Sequence, residues 1–124
     1  PLLIAARNGH VGVARFLAEV GADKNMATLF GATPLLIAAR NGHIEVVRCL
    51  IEFGADKNMA THFGATPLLI AAQKGHIEVV RCLIEAGADT NMATHSGATP
   101  LLIAAENGHI ELVRFLVDVV LARS

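Results

Sequence analysis

The chain of 124 residues has no Trp and no Tyr, only five Phe, two Cys and four Pro, and it is short of charge. Each shortage excludes something. With so few aromatics, the core must be built from Leu, Ile, Val and Ala. Only 17% of residues are charged and the formal net charge is −1. That balance excludes a general electrostatic grip on DNA, RNA or anionic membranes, which rests on clustered Lys and Arg. No apolar run approaches the roughly 18 to 20 residues that span a bilayer, so no membrane insertion is expected. The N-terminus has no basic stretch leading into an apolar one, hence no visible secretory signal. It also lacks an initiator Met and starts mid-pattern at Pro1, so the chain reads as an excised piece. No Gly-rich phosphate loop follows a strand. No nucleophile, base and orienting acid can be assembled, because every candidate recurs at a distance. An enzyme is not expected, and neither is a cofactor.

The scarce prolines are the key to what is present. Pro1, Pro34, Pro67 and Pro100 stand 33 residues apart, and each opens nearly the same phrase: PLLIAARNGH, PLLIAARNGH, PLLIAAQKGH, PLLIAAENGH. Residues 34–66 and 67–99 differ at only five positions: Arg40/Gln73, Asn41/Lys74, Phe53/Ala86, Lys57/Thr90 and Phe63/Ser96. A period of this length signals a stacked repeat architecture. With 53% apolar residues, the chain has ample material for a continuous core and is not disordered.

Local chemistry gives each unit its form. Thr33 before Pro34 reads as an N-cap followed by the first helical position, since the hydroxyl can accept an orphan N–H and Pro has none to leave unpaired. A short helix follows through Arg40 and stops at Gly42, where a positive φ is expected. A second helix begins near Ile44, with Ile44, Val47, Leu50 and Ile51 at helical spacing and Val46 widening the stripe. Gly54 ends it, and ADKNMATHFGA supplies turn residues up to the next Thr-Pro. Two such short helices cannot bury their apolar faces alone, so neighbours must cover them. The first helix carries an Ala-Ala pair and the second is bulky, which predicts a curved stack with the first helices on the concave side.

GATPLLIAARNGHIEVVRCLIEFGADKNMAT resembles the ankyrin repeat, in which a β-turn finger precedes two antiparallel helices. The resemblance covers essentially the whole chain. It implies an all-α solenoid, a single domain over 1–124, with repeats at 1–33, 34–66, 67–99 and 100–124. The first lacks its β-turn and the last stops after its second helix. Two departures stand out. The family usually writes Thr-Pro-Leu-His, whereas Leu3, Leu36, Leu69 and Leu102 occupy the His position here, so apolar packing must replace hydrogen bonding. The family tends to place Asp where Thr28, Thr61 and Thr94 open the fingers, which leaves the finger region's rigidity open.

His10, His43, His76 and His109 look like a ligand set. Their equivalent placement puts successive copies roughly 8–10 Å apart, whereas zinc needs nitrogens at about 2.0–2.1 Å. Each is read as closing the turn between helices. Cys49 and Cys82, likewise one repeat apart, lie beyond the roughly 7 Å reach of a disulfide. Phe16 and Phe115 replace them in the outer repeats, so they read as packing residues, and reduced thiols suit an intracellular, cytoplasmic protein. The Thr-Pro hydroxyls read as caps rather than phosphorylation sites. Asn58 matches the position at which ankyrin repeats can be hydroxylated, with Leu50 and Asp56 at fitting offsets, although Lys57 replaces the usual aliphatic residue. The alternative is an Asn supporting the turn backbone.

The resemblance implies partner contacts at finger tips and concave helix ends. On this chain those are Leu29, Phe30, Arg40 and Asn41; His62, Phe63, Gln73 and Lys74; and His95, Ser96, Glu106 and Asn107, with Arg7 and Asn8 continuing the row. Phe30 and Phe63 are poor turn formers and good interface anchors. The expected function is a module binding another protein. The alternatives are a structural or self-associating segment of natural or consensus-type origin, with no dedicated partner, or a recruitment domain of a larger enzyme or channel. Self-association has its own motive: where other repeats end in GAD, the last reads DVVLARS, leaving an apolar end at Val117, Val119, Val120 and Leu121.

Overall fold

Thr33, Thr66 and Thr99 each accept a hydrogen bond on Oγ1 from the backbone N–H three residues on, of Leu36, Leu69 and Leu102, at 3.2 Å. Pro follows each cap at the start of the helix. These caps set the helix starts in a computed structural model that describes residues 1–123. The described residues contain eight helices and no strands. In chain order they are α1 (Leu2–Asn8), α2 (Val11–Glu19), α3 (Pro34–Asn41), α4 (Ile44–Glu52), α5 (Pro67–Lys74), α6 (Ile77–Glu85), α7 (Pro100–Glu106) and α8 (Ile110–Ala122). Gly42 ends α3 with φ 73°, as the sequence predicts, and its turn is closed by the His43 N–H donating to Ala38 O at 3.0 Å.

The helices form two layers. α1, α3, α5 and α7 lie side by side, as do α2, α4 and α6, and each repeat's two helices pack as a hairpin; α8 meets α6 where Arg81 lies over the Phe115 ring. The first layer is drawn together more closely than the second. Ala38, Ala39, Ala71 and Ala72 are fully buried there, and their small side chains let neighbouring backbones approach.

Burial shows that neighbours complete one another. Val46 and Val79 are each 1% exposed, yet Val13, their equivalent in the first repeat, is 50% exposed. Leu36 and Leu69 are 2% and 1% exposed, yet Leu102 is 48% exposed at the other end. The same letters are core in the middle and surface at the ends. Leu36 and Leu69 thereby supply the apolar packing that the Leu-for-His replacement demands.

Each finger is pinned at its base. The Thr28 N–H donates to Ala32 O and the Gly31 N–H to Thr28 O, both at 2.9 Å, while Thr28 Oγ1 accepts from the Ala32 N–H. The Thr61 and Thr94 fingers repeat the arrangement, so Thr fixes this turn in place of Asp. Successive fingers join through the backbone, the His62 N–H donating to Phe30 O at 3.0 Å and the His95 N–H approaching Phe63 O at 3.4 Å. α8 outruns its counterparts because Val120 stands where Gly54 and Gly87 end α4 and α6.

Candidate functional site

Between the fingers and the first helices lies an open groove of about 440 Å³. Phe30 and Phe63 wall it from two fingers, Leu36, Ile37 and Ile70 form its apolar floor, and Arg7 and Arg40 stand at the helix ends. The residues follow from the fold: the N–H···O link between fingers sets the two rings one repeat apart, and Ile37 and Arg40 share a helix face at a spacing of three. Phe30 and Phe63 are about two-thirds exposed and Leu29 is 91% exposed. Such exposure of large side chains contrasts with the closed core beneath them.

The electrostatics of the groove are one-sided. No Asp or Glu lines it, and among the described residues neither Arg7 nor Arg40 joins an ion pair. On the second layer the arginines are engaged. Arg15 pairs with Glu52 at 3.2 Å and lies over the Phe53 ring at 5.8 Å, and Arg81 lies 5.0 Å from the Phe115 centroid.

All twelve residues expected to face a partner are exposed, but they are not equally free. Asn41 Nδ2 donates to Arg7 O at 3.1 Å and ties two repeats, and Asn107 Nδ2 donates to Ile103 O at 2.8 Å within its own helix region. The His62 and His95 rings lie against Gly31 and Gly64 of the preceding finger, and Ser96 Oγ bonds Thr94 Oγ1 at 2.9 Å. Among the described residues, the side chains of Leu29, Phe30, Phe63, Arg40, Gln73, Lys74 and Glu106 project with no such tie. Only Phe30, Phe63 and Arg40 of the twelve line the groove. Ile37 and Ile70 were not singled out from sequence, because they read as core letters. The signal that finds them is their three-residue spacing from Arg40 and Gln73.

The histidines do more than close their own turns. His43 Nε2 donates to Arg7 O, His76 Nε2 to Arg40 O and His109 Nε2 to Gln73 O, at 3.0, 3.0 and 2.9 Å. Each ring packs on the glycine of the preceding repeat, where an added Cβ at Gly9, Gly42 or Gly75 would meet it within 2.9 Å. The asparagines also act between repeats: Asn25 Oδ1 accepts from the Asp56 N–H at 3.0 Å and Asn58 Oδ1 from the Asp89 N–H at 2.9 Å. Cys49 is buried and Cys82 half-buried, and burial pushes both thiols up from their ordinary value. That is the opposite of what an activated nucleophile needs.

No helix among the described residues is long and apolar enough to cross a membrane. A family model described as ankyrin repeats (3 copies) matches residues 1–61 and again residues 53–122. No curated protein gives a significant match to the chain.

Proposed function

Because the chain belongs to the ankyrin-repeat family, whose members are generally protein-interaction modules and typically not enzymes, we propose that it binds another protein across the finger side of its first-helix layer. The observation that carries this is the groove, where two exposed aromatic rings, an apolar floor and two arginines with no ion pair among the described residues converge. An extended segment that places an apolar side chain between the rings and a carboxylate toward Arg7 and Arg40 suits that lining. Rigid presentation is the mechanism. The finger links and caps hold the rings in place before binding, so little conformational entropy is lost on association. Leu29 adds apolar contact, and Lys74 and Glu106 at successive helix ends give the row a polarity that orients the partner.

The test is the double substitution Phe30→Ala with Phe63→Ala. Both rings are largely exposed, so the fold should keep its urea midpoint. A protein captured by the wild type should be lost from the variant, and equal retention by the two refutes the assignment. Asn58 belongs here as a site of hydroxylation, and intact-mass analysis of protein from a eukaryotic host detects the added oxygen. An intracellular setting fits the two reduced thiols.

The second reading is self-association through the apolar C-terminal end, favoured by the exposure of Leu102, Val117, Val120 and Leu121.

A further inference from the structure

We propose that the groove holds an extended peptide segment by one large apolar side chain and a neighbouring Asp or Glu carboxylate, and that Arg40 and Phe63 confine this occupant to the first of two otherwise matching steps along the fingers. The inference rests on the groove reading given above and adds which residues select the occupant and where along the stack it sits. Its basis is the near-copy of the groove that the chain carries one repeat on.

Every residue that lines the groove has a counterpart 33 positions on, at the step between the second and third fingers. The floor is kept: Leu36, Ile37 and Ile70 become Leu69, Ile70 and Ile103, on helices α5 and α7 that pack side by side as α3 and α5 do. The finger link is kept too, with the His95 N–H at 3.4 Å from Phe63 O where the His62 N–H is at 3.0 Å from Phe30 O. Two lining residues change. Arg40 gives way to Gln73, and Phe63 to Ser96, two of the five differences between residues 34–66 and 67–99.

Those two changes keep the scaffold and remove half of the chemistry. The first step has two rings and two guanidiniums, while the second retains only Phe63 and Arg40. Ser96 is turned to its own finger, its Oγ on Thr94 Oγ1 at 2.9 Å, and supplies no wall. Lys74 does not restore the lost cation, since its counterpart Asn41 lies outside the lining with its amide donated to Arg7 O. At the first step a carboxylate meets two guanidiniums with no Asp or Glu in the lining and no ion pair among the described residues to compete for them. Charge-assisted bonds from an Arg fork are the strong kind and fix direction as well as energy. A basic segment would set like charges face to face, so the lining selects against it. The apolar side chain enters between the rings, where its burial supplies affinity.

Short random-sequence peptides displayed on phage and selected on this chain give the probes. Their synthetic forms are titrated by fluorescence polarisation, with circular dichroism to verify the fold of each variant. Selected peptides should share a large apolar residue close to an Asp or Glu. Changing that acid to its amide, or Arg40→Gln in the protein, should weaken binding about tenfold. Arg7→Gln with Phe30→Ala should abolish it. Adding Gln73→Arg and Ser96→Phe to that variant should restore it at the second step, where Arg40 and Phe63 then have partners again. All these positions are exposed. Peptides lost from Phe30→Ala with Phe63→Ala but indifferent to the acid and to Arg40→Gln overturn the acidic selection and leave the groove reading standing. Peptides indifferent to every one of these substitutions overturn both. A combined variant that folds without regaining binding overturns the confining role of Arg40 and Phe63. A library that yields no binder overturns the peptide occupant and leaves the groove to a folded partner.

Discussion

Leu69→Ala and Leu102→Ala make the same chemical change at the same place in successive repeats, and the structure predicts different costs. Leu69 is 1% exposed beneath the neighbouring first helices, while Leu102 is 48% exposed because no further helix among the described residues covers α7 on that side. Truncating a fully buried Leu loses its transfer free energy and leaves a cavity, together about 2–5 kcal/mol. At Leu102 about half the side chain is already in water and no enclosed cavity forms, so the loss should stay below about 1 kcal/mol. With a urea dependence of about 2 kcal/mol per molar, Leu69→Ala should lower the unfolding midpoint by about 1 M or more. Leu102→Ala should lower it by less than about 0.5 M. The absence of Trp and Tyr rules out their fluorescence as a probe, so the helical signal at far-ultraviolet wavelengths is the readout, taken dilute enough to keep the chain monomeric. Equal shifts for the two variants would refute the argument that each repeat is completed by the next.

Three further outcomes follow from the contacts between repeats. His76→Ala removes the bond to Arg40 O and the ring packed on Gly42; it should cost about 1–2 kcal/mol in urea unfolding, whereas His10→Ala should be close to neutral in dilute protein. Thr66→Ala strands the buried Leu69 N–H that its hydroxyl accepts and should cost about 1–2 kcal/mol, with Thr66→Ser recovering most of it. The Cys49 and Cys82 thiols, held above their ordinary pKa by burial, should react slowly with an aromatic disulfide reagent at neutral pH and rapidly in denaturant. Because the raised values favour the protonated folded form, the unfolded chain loses these protons first as pH rises, and their contribution to stability falls on the alkaline side.

The Thr-Pro helix starts and the Gly42 stop were legible in the sequence because they depend on neighbours in the chain. A hydroxyl three residues from the amide it caps, or a glycine at a positive φ, is a local matter. The His and Asn roles were less legible. His43 reads as the closure of its own turn, but its ring bond spans 36 residues to Arg7. Asn58 does support the turn backbone, but of the next repeat, 31 residues on. A single period does not say which copy a side chain reaches. The groove was half visible: Phe30 and Phe63 stood out as misfits in a turn, while Ile37 and Ile70 hid among core letters, because which apolar residues lie beside the fingers is set by how the repeats pack and not by the local sequence. The length of α8 was readable in hindsight from Val120 in the place of Gly54 and Gly87.

The central claim is that each repeat owes its order to the repeats on either side. Amide hydrogen exchange on the dilute, partner-free protein tests it most directly, since local opening reports how well each element is covered. The slowest amides should lie in α3 and α5, flanked on both sides, with α4 and α6 next and faster exchange in α1, α2, α7 and α8. Equal protection in all eight helices, or slowest exchange in the first and last repeats, would contradict it.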